Sequence, residues 1–194
     1  GVGRGAELGV LIKHGEALEV SEKLTTIVFD KTGTLTRGKP EVTDIIGVGM
    51  ANREVLTFAA SVEKNSQHPL AEAVVIAADR DGIELAASDG FDTFGGKGVR
   101  AKVGDKEVLI GNRILFNERD ISYQAVEETI AHLEEEGKTV ILVAVDNKIR
   151  GILAIADTVK ESAKEAIDAL KGMHFKVVLI TGDNARTANA IAKQ

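Results

Sequence analysis

Two short apolar runs, one near each end of the chain, are each followed by a polar segment. Residues 24–29 (LTTIVF) precede a Gly- and Thr-rich stretch, and residues 175–180 (FKVVLI) precede Thr181-Gly182-Asp183-Asn184. Short runs rich in β-branched residues predict buried strands that end in loops. Apolar residues at helical spacing over residues 159–171 predict a helix before the second strand. A helix leading into a strand, with polar loops at the strand ends, favours a doubly wound parallel sheet.

The middle of the chain has a different pattern. Helical spacing recurs in residues 53–62, 69–78 and 122–136, whereas residues 41–48 alternate weakly. Two hairpins are predicted, with residues 98–103 and 106–110 around Gly104-Asp105, and residues 140–145 and 149–155 around Asp146-Asn147. Hairpins together with helices indicate an antiparallel α+β region.

These patterns predict an α/β chain with one domain inserted into another. The antiparallel α+β region, residues 38–150, interrupts a parallel-sheet domain made of residues 1–37 and 151–194, and the two crossings act as a hinge. The chain begins with Gly1 instead of Met, and residues 187–194 have the pattern of an uncapped helix. We therefore expect a fragment of a larger protein.

Composition narrows the classes of function. The chain is 44% hydrophobic and 28% charged, which is typical of a globular protein. Its net charge of -6 and its lack of a basic cluster make nucleic acid a poor candidate partner. The absence of cysteine fits a reducing compartment and excludes a thiolate metal site. No apolar run approaches the roughly 20 residues that span a bilayer.

The chemistry is concentrated in residues 30–36, Asp-Lys-Thr-Gly-Thr-Leu-Thr. A carboxylate at the carboxyl end of a parallel strand lies where α/β sheets bind ligands. The Gly and Thr residues after Asp30 supply a tight turn, exposed amides and hydroxyls that suit a phosphoryl group. Aspartate is a competent phosphoryl acceptor. Taken alone, an Asp-x-Thr sequence at a strand end is also typical of a capping aspartate.

The whole seven-residue motif resembles the phosphorylation signature of P-type ATPases. The resemblance implies a haloacid-dehalogenase-like phosphorylation domain, incomplete in this chain, with an inserted antiparallel α+β nucleotide-binding domain. It implies ATP and Mg²⁺ as cofactors, and its residue assignments follow the family. Asp30 is the phosphoryl acceptor, its carboxylate and the Thr32 carbonyl hold Mg²⁺, Lys31 and Thr34 line the phosphate site, Thr181 of the segment Thr181-Gly182-Asp183 bonds a phosphoryl oxygen, and Asp157 of a hinge motif holds the nucleotide geometry.

Thr32 separates two related activities. Phosphatases of the haloacid-dehalogenase type carry a second aspartate two positions after the nucleophile, as general acid and base. In this chain that position is Thr32, so an aspartyl phosphate should persist. Persistence suits an ion pump and disfavours a soluble phosphatase.

A second resemblance concerns the subfamily. Glu63, His68, Gly96 and Gly98 match the adenine-contacting and Gly-x-Gly positions of heavy-metal-transporting P-type ATPases. The histidine and the glycines also have simpler structural interpretations, because His68-Pro69 can cap a helix and the glycines can form a bend before a strand. Residues 9–15 and Ala17-Leu18-Glu19 resemble copper-type pumps, which favours Cu⁺ over Zn²⁺ or Cd²⁺.

The family pattern also extends beyond this sequence. A complete pump has a further lysine, a second Mg²⁺-binding loop, an actuator domain and transmembrane domains. We therefore expect these domains of the same parent protein as partners, a position on the cytoplasmic side of a membrane, and weak or absent autophosphorylation. Three hypotheses remain open: a pump fragment, a haloacid-dehalogenase-type soluble phosphatase, and a nucleotide-binding module that is inactive by itself.

Overall fold

The computed structural model describes residues 2–193, which form eight helices and eight strands. The helices are α1 (Val2–Glu7), α2 (Gly15–Ser21), α3 (Asn52–Glu63), α4 (Pro69–Arg80), α5 (Arg113–Glu118), α6 (Glu127–Glu135), α7 (Glu161–Gly172) and α8 (Ala185–Lys193). The strands are β1 (Thr26–Asp30), β2 (Glu41–Gly47), β3 (Ser88–Phe94), β4 (Gly98–Val103), β5 (Lys106–Gly111), β6 (Thr139–Val145), β7 (Lys148–Ala156) and β8 (Lys176–Ile180).

The two end segments of the chain meet in a parallel pair of strands. β1 and β8 lie side by side in register, so that Asp30 is opposite Ile180. α7 precedes β8 and packs against it, as the helix-then-strand pattern predicts. Val28 is 52% exposed and Ile180 is 59% exposed. The predicted parallel pairing is confirmed, and the pair is partly exposed.

The middle of the chain forms a six-stranded antiparallel sheet in the order β2-β7-β6-β5-β4-β3. Both predicted hairpins are confirmed. Positive φ angles at Asp146 (51°) and Asn147 (58°) match the turn that joins strands with a right-handed twist. The sheet is buried on both faces, since Ile141, Val143 and Val145 face one apolar cluster while Leu142 and Ala144 face another. This explains why residues 140–145 are apolar without alternation.

Four elements (α1, α2, β3 and α5) were not predicted, and one predicted helix begins too early. β3 has the composition of a loop, with an irregular register between Asp89 and Asp92. α5 is only six residues long, and its start is fixed by the side chain of Asn112, which accepts hydrogen bonds from Ile114 N and Leu115 N. The helix predicted over residues 122–136 is wrong at its start, where a 3₁₀ turn (Gln124–Val126) precedes α6. Tyr123 lies outside the helix and packs edge-on against Phe116.

The chain enters and leaves the six-stranded sheet through neighbouring strands. β2 pairs with β7, and β7 continues to Ala156, so the expected boundary at residue 150 falls inside a strand. We propose that the inserted domain spans residues 41–156. The two crossings are themselves hydrogen-bonded, from Arg37 N to Thr158 O (2.9 Å) and from Lys160 N to Leu35 O (2.8 Å). This pairing places the loop after Asp30 at the base of the inserted domain.

Candidate functional site

Asp30 occupies the carboxyl end of β1, where the parallel pair ends. Its side chain is exposed and does not cap the turn that follows. The capping interpretation of this aspartate is therefore wrong. The carboxylate is available to a ligand at the strand end, as expected for a site at the edge of a parallel sheet.

The loop after Asp30 folds as a tight turn held from inside. Thr32 (φ -74°, ψ 123°) and Gly33 (φ 75°, ψ -16°) have the angles of a type II turn, which explains glycine at the second position. The buried Thr36 hydroxyl donates to Asp157 Oδ2 at 2.6 Å and accepts from Gly33 N at 3.1 Å. Lys39 N donates to Asp157 Oδ1 at 3.2 Å. Asp157 therefore fixes both the loop and the crossing into β2.

Lys160 is a loop contact that the sequence reasoning missed. Its ammonium group donates to Gly33 O at 2.9 Å and to Thr34 O at 3.0 Å. These bonds orient the backbone of the turn beside Asp30. A lysine three residues after the Asp157 hinge position was the available signal.

Lys31, Thr181 and Asp183 lie together, as the resemblance implies, but they bind one another. The Lys31 ammonium forms an ion pair with Asp183, and both side chains are about nine-tenths buried. Asp183 N donates to the Thr181 hydroxyl at 3.1 Å, and that hydroxyl lies 3.0 Å from Asp183 Oδ2. Gly182, between them, is exposed. Asp183 also accepts a hydrogen bond from Thr139 at 2.7 Å, a contact that the sequence did not reveal.

Glu63 and His68 lie at the adjoining ends of α3 and α4. Glu63 is 7% exposed, and burial raises the pKa of its carboxyl group to about 7, well above the usual 4.5. His68 is exposed, and its Nδ1 accepts a hydrogen bond from Leu70 N at 3.2 Å. The capping role of His68 is thus confirmed, while its expected adenine contact stays a prediction.

Gly96 lies in the turn between β3 and β4, whereas Gly98 is the first residue of β4, and the two differ in their surroundings. A Cβ at Gly98 would lie 2.0 Å from Ile110 O and 2.6 Å from Gly111 Cα, so glycine is required where β4 meets β5. Gly96 has φ +68°, and a Cβ there would meet nothing within 4 Å. No hydrogen bond within residues 2–193 joins either glycine to Glu63 or His68. Open space beside the backbone exists at Gly96 and not at Gly98.

Two further observations concern metal binding and membrane-spanning helices. Within residues 2–193, no three His, Asp or Glu side chains cluster in a way that could hold a metal ion. Oxygen donors at Asp30 and Thr32 suit Mg²⁺, which often binds through one or two carboxylates with waters and substrate phosphates. No helix among the described residues has both the length and the apolar character needed to cross a bilayer.

Comparison with known proteins shows which family the chain belongs to. A family model described as haloacid dehalogenase-like hydrolase matches residues 24–194. The probable copper-exporting P-type ATPase of Archaeoglobus fulgidus is 47% identical over 195 residues, covering 100% of this chain and 24% of the relative. The chain thus spans about a quarter of the length of the curated relatives it matches.

Solved structures similar to this chain also come from metal-transporting P-type ATPases. A zinc-transporting PIB-type ATPase in the E2.Pi state is 39% identical, with a TM-score of 0.69 over 99% of this chain and 31% of that one. The catalytic domain of the CPx-ATPase CopB-B is 28% identical, with a TM-score of 0.70 over 99% of this chain and 68% of that one. The chain belongs to the haloacid dehalogenase-like hydrolase family and is related over its whole length to part of the heavy-metal-transporting P-type ATPases.

Proposed function

We propose that this chain is the ATP-binding and phosphorylation region of a heavy-metal-transporting P-type ATPase. ATP binds the inserted domain, and its γ-phosphoryl group passes to Asp30 to form the aspartyl phosphate that drives ion transport. The observation that carries the proposal is the Asp30 carboxylate, exposed at the end of a parallel strand and uncapped, beside a loop braced by Asp157 and Lys160. An accessible carboxylate beside a loop held by hydrogen bonds suits phosphoryl transfer, which depends mainly on positioning and charge.

The transfer requires little from the protein besides geometry. A carboxylate oxygen of Asp30 forms a bond to the γ-phosphorus while the bond from that phosphorus to the β-γ bridging oxygen breaks, and ADP leaves with the electron pair. Mg²⁺, held by Asp30 and the Thr32 carbonyl, would neutralise phosphate charge. Lys31 and Thr34 line the site, and Thr181 contributes its hydroxyl once it turns from Asp183. Thr32 offers no base to activate water, so the aspartyl phosphate persists, which disfavours the soluble phosphatase.

Glu63 supports an adenine site in the inserted domain. Within residues 2–193 no ion pair joins its buried carboxyl group to a cation, and burial raises the pKa of that group. The exocyclic amino group of adenine is a donor that would stabilise the ionised form. The CopB-B catalytic domain, a related protein, undergoes conformational changes upon nucleotide binding. His68, Gly96 and Gly98 complete the proposed site, with Gly98 acting through the packing of β4 against β5.

The affinity for ATP tests the adenine site. We expect ATP binding in the micromolar-to-millimolar range and a weakening of about tenfold, roughly 1.4 kcal/mol, in His68→Ala. Calorimetric titration of ATP and ADP, with and without Mg²⁺, measures both values. His132→Ala is the matched control, because His132 is an exposed histidine on α6. Equal affinities in His68→Ala and the unaltered chain, with circular dichroism showing both folded, would contradict the assignment.

The transported ion is proposed from relatives. The Archaeoglobus fulgidus relative carries the name copper-exporting, whereas the 39% identical structure is called zinc-transporting. The higher identity favours Cu⁺ as the cargo of the parent protein. Its partners are then the actuator and transmembrane domains of the same protein, which place this region on the cytoplasmic side of a membrane. A nucleotide-binding module without phosphorylation remains the second candidate, because Thr181 and Lys31 are engaged with Asp183 in this structure.

A further inference from the structure

The junction of α6 and β6 in the inserted domain contacts the segment that follows β8. We call residues 134–139 the junction segment. Thr139 Oγ1 donates to Asp183 Oδ1 at 2.7 Å, Asn184 Nδ2 donates to Glu134 Oε1 at 2.8 Å, and Thr187 Oγ1 donates to Lys138 O at 2.9 Å. Three hydrogen bonds therefore join one short stretch of the inserted domain to the loop and helix at the end of the parallel pair.

An ion-pair network fixes this contact. The Glu134 side chain is 2% exposed and pairs with Arg113 from its own domain. Arg186 of α8 reaches it from the other side, with Nη1 at 3.3 Å from Glu134 Oε2. A carboxylate bound by arginines from two domains has few orientations, since the guanidinium group presents its donors in a rigid plane. The network therefore sets where α8 lies on α6.

Asp183 connects the junction segment to the loop of the phosphoryl acceptor. One oxygen of its carboxylate accepts from Thr139, and the other binds the ammonium group of Lys31, the residue after Asp30. Thr139 is thus separated from Lys31 by a single carboxylate. Thr187, in the first turn of α8, is fully buried in the same contact.

We propose that the junction segment docks the Thr181-Gly182-Asp183-Asn184 loop, and that Thr139 is a positioning residue that orients Asp183 and, through it, Lys31. The inference rests on the proposed function only in calling the Asp30 loop a phosphoryl site, since every contact in it joins protein side chains or backbone. A shift of the inserted domain would therefore move Lys31, the residue beside Asp30. The shift would act through the contacts of Thr139 and Asp183 and not through the nucleotide.

The reactivity of the Lys31 amine tests this link in the whole chain. Competitive acetylation with acetic anhydride, read by mass spectrometry, measures how firmly the amine is held. We expect Thr139→Val to raise the Lys31 acetylation rate by at least about twofold, since networked side chains couple by more than roughly 0.5 kcal/mol. Thr139→Ser keeps the hydroxyl and should restore the original rate. Thr57→Val, which removes a hydroxyl that donates to Arg53 O within α3, should leave the Lys31 acetylation rate unchanged.

Three outcomes would overturn the proposal: an unchanged Lys31 rate in Thr139→Val, a serine variant that behaves like valine, or an equal rise in Thr57→Val. If Thr139→Val does not fold, Arg186→Gln on the surface of α8 loosens the same docking and should raise the rate in the same direction. Titration of ATP separates this proposal from the assigned function. Absence of ATP binding in the unaltered chain would refute the ATP site, while the acetylation result would still decide the role of Thr139.

Discussion

Glu134→Ala is expected to lower the free energy of unfolding by about 3–5 kcal/mol, as is typical when one partner of a buried ion pair is removed. The Glu134 carboxylate is 2% exposed and pairs with both Arg113 and Arg186. The hydrogen bond from Arg113 also lowers the pKa of Glu127 below its usual range. Removing Glu134 leaves Arg113 half-buried with one partner and deprives Asn184 of its acceptor.

Thermal unfolding followed by circular dichroism measures the effect of Glu134→Ala, with an expected fall in Tm of roughly 10 °C. Glu135→Ala is the matched control, because the adjacent Glu135 is exposed on the same helix. It should change the free energy of unfolding by less than about 0.5 kcal/mol. Equal Tm values for the two variants would show that the ion-pair network contributes nothing to the fold.

Glu63→Gln is expected to stabilise the chain by about 3 kcal/mol at pH 8 while leaving its stability at pH 4 nearly unchanged. The cause is the burial that raises the pKa of Glu63 to about 7 from the usual 4.5. Below pH 4.5 the carboxyl group is protonated in both folded and unfolded chains. Between pH 4.5 and about pH 7 the unfolded chain loses the proton while the folded chain keeps it, so the free energy of unfolding falls as pH rises. Above about pH 7 the destabilisation by the buried, ionised Glu63 is constant.

The measurement for Glu63 is a series of urea denaturations from pH 4 to pH 8 on the original chain and on Glu63→Gln. Their difference cancels the contributions of other groups that titrate in this range. Glu54→Gln supplies the control, since Glu54 is an exposed residue on the same helix, α3. A difference between Glu63→Gln and the original chain that does not grow with pH would mean that Glu63 is ionised without cost in the folded state.

Local patterns in the sequence were sufficient where each element is long or its turn is chemically distinctive. Asp146-Asn147 predicts its hairpin because both residues accept positive φ angles. β3 was missed since an edge strand carrying Asp89, Gly90 and Asp92 has the composition of a loop. The start of α6 was misplaced because Tyr123 packs against Phe116, a contact between segments that no periodicity reveals.

In the candidate site, too, residues in a local motif could be predicted, whereas contacts between distant segments could not. The motif identified Asp30, Lys31 and Thr32, because the seven residues carry their chemistry in contiguous order. Lys160 and Thr139 escaped notice since each acts on a loop distant in sequence. The different roles of Gly96 and Gly98 could not be predicted either, because the lack of room for a side chain at Gly98 depends on the nearby Ile110 O, a contact between strands.

The central claim is that one nucleotide spans the inserted domain and the Asp30 loop. Amide chemical shifts in an NMR titration with Mg²⁺ and the non-hydrolysable ATP analogue AMPPCP test it most directly. We predict two groups of shifted signals, one at Glu63, His68 and Gly96, and one in residues 30–34. Shifts confined to other surfaces, such as the hollow lined by Arg113, Tyr123 and Glu127, or no shifts at millimolar analogue, would contradict this claim.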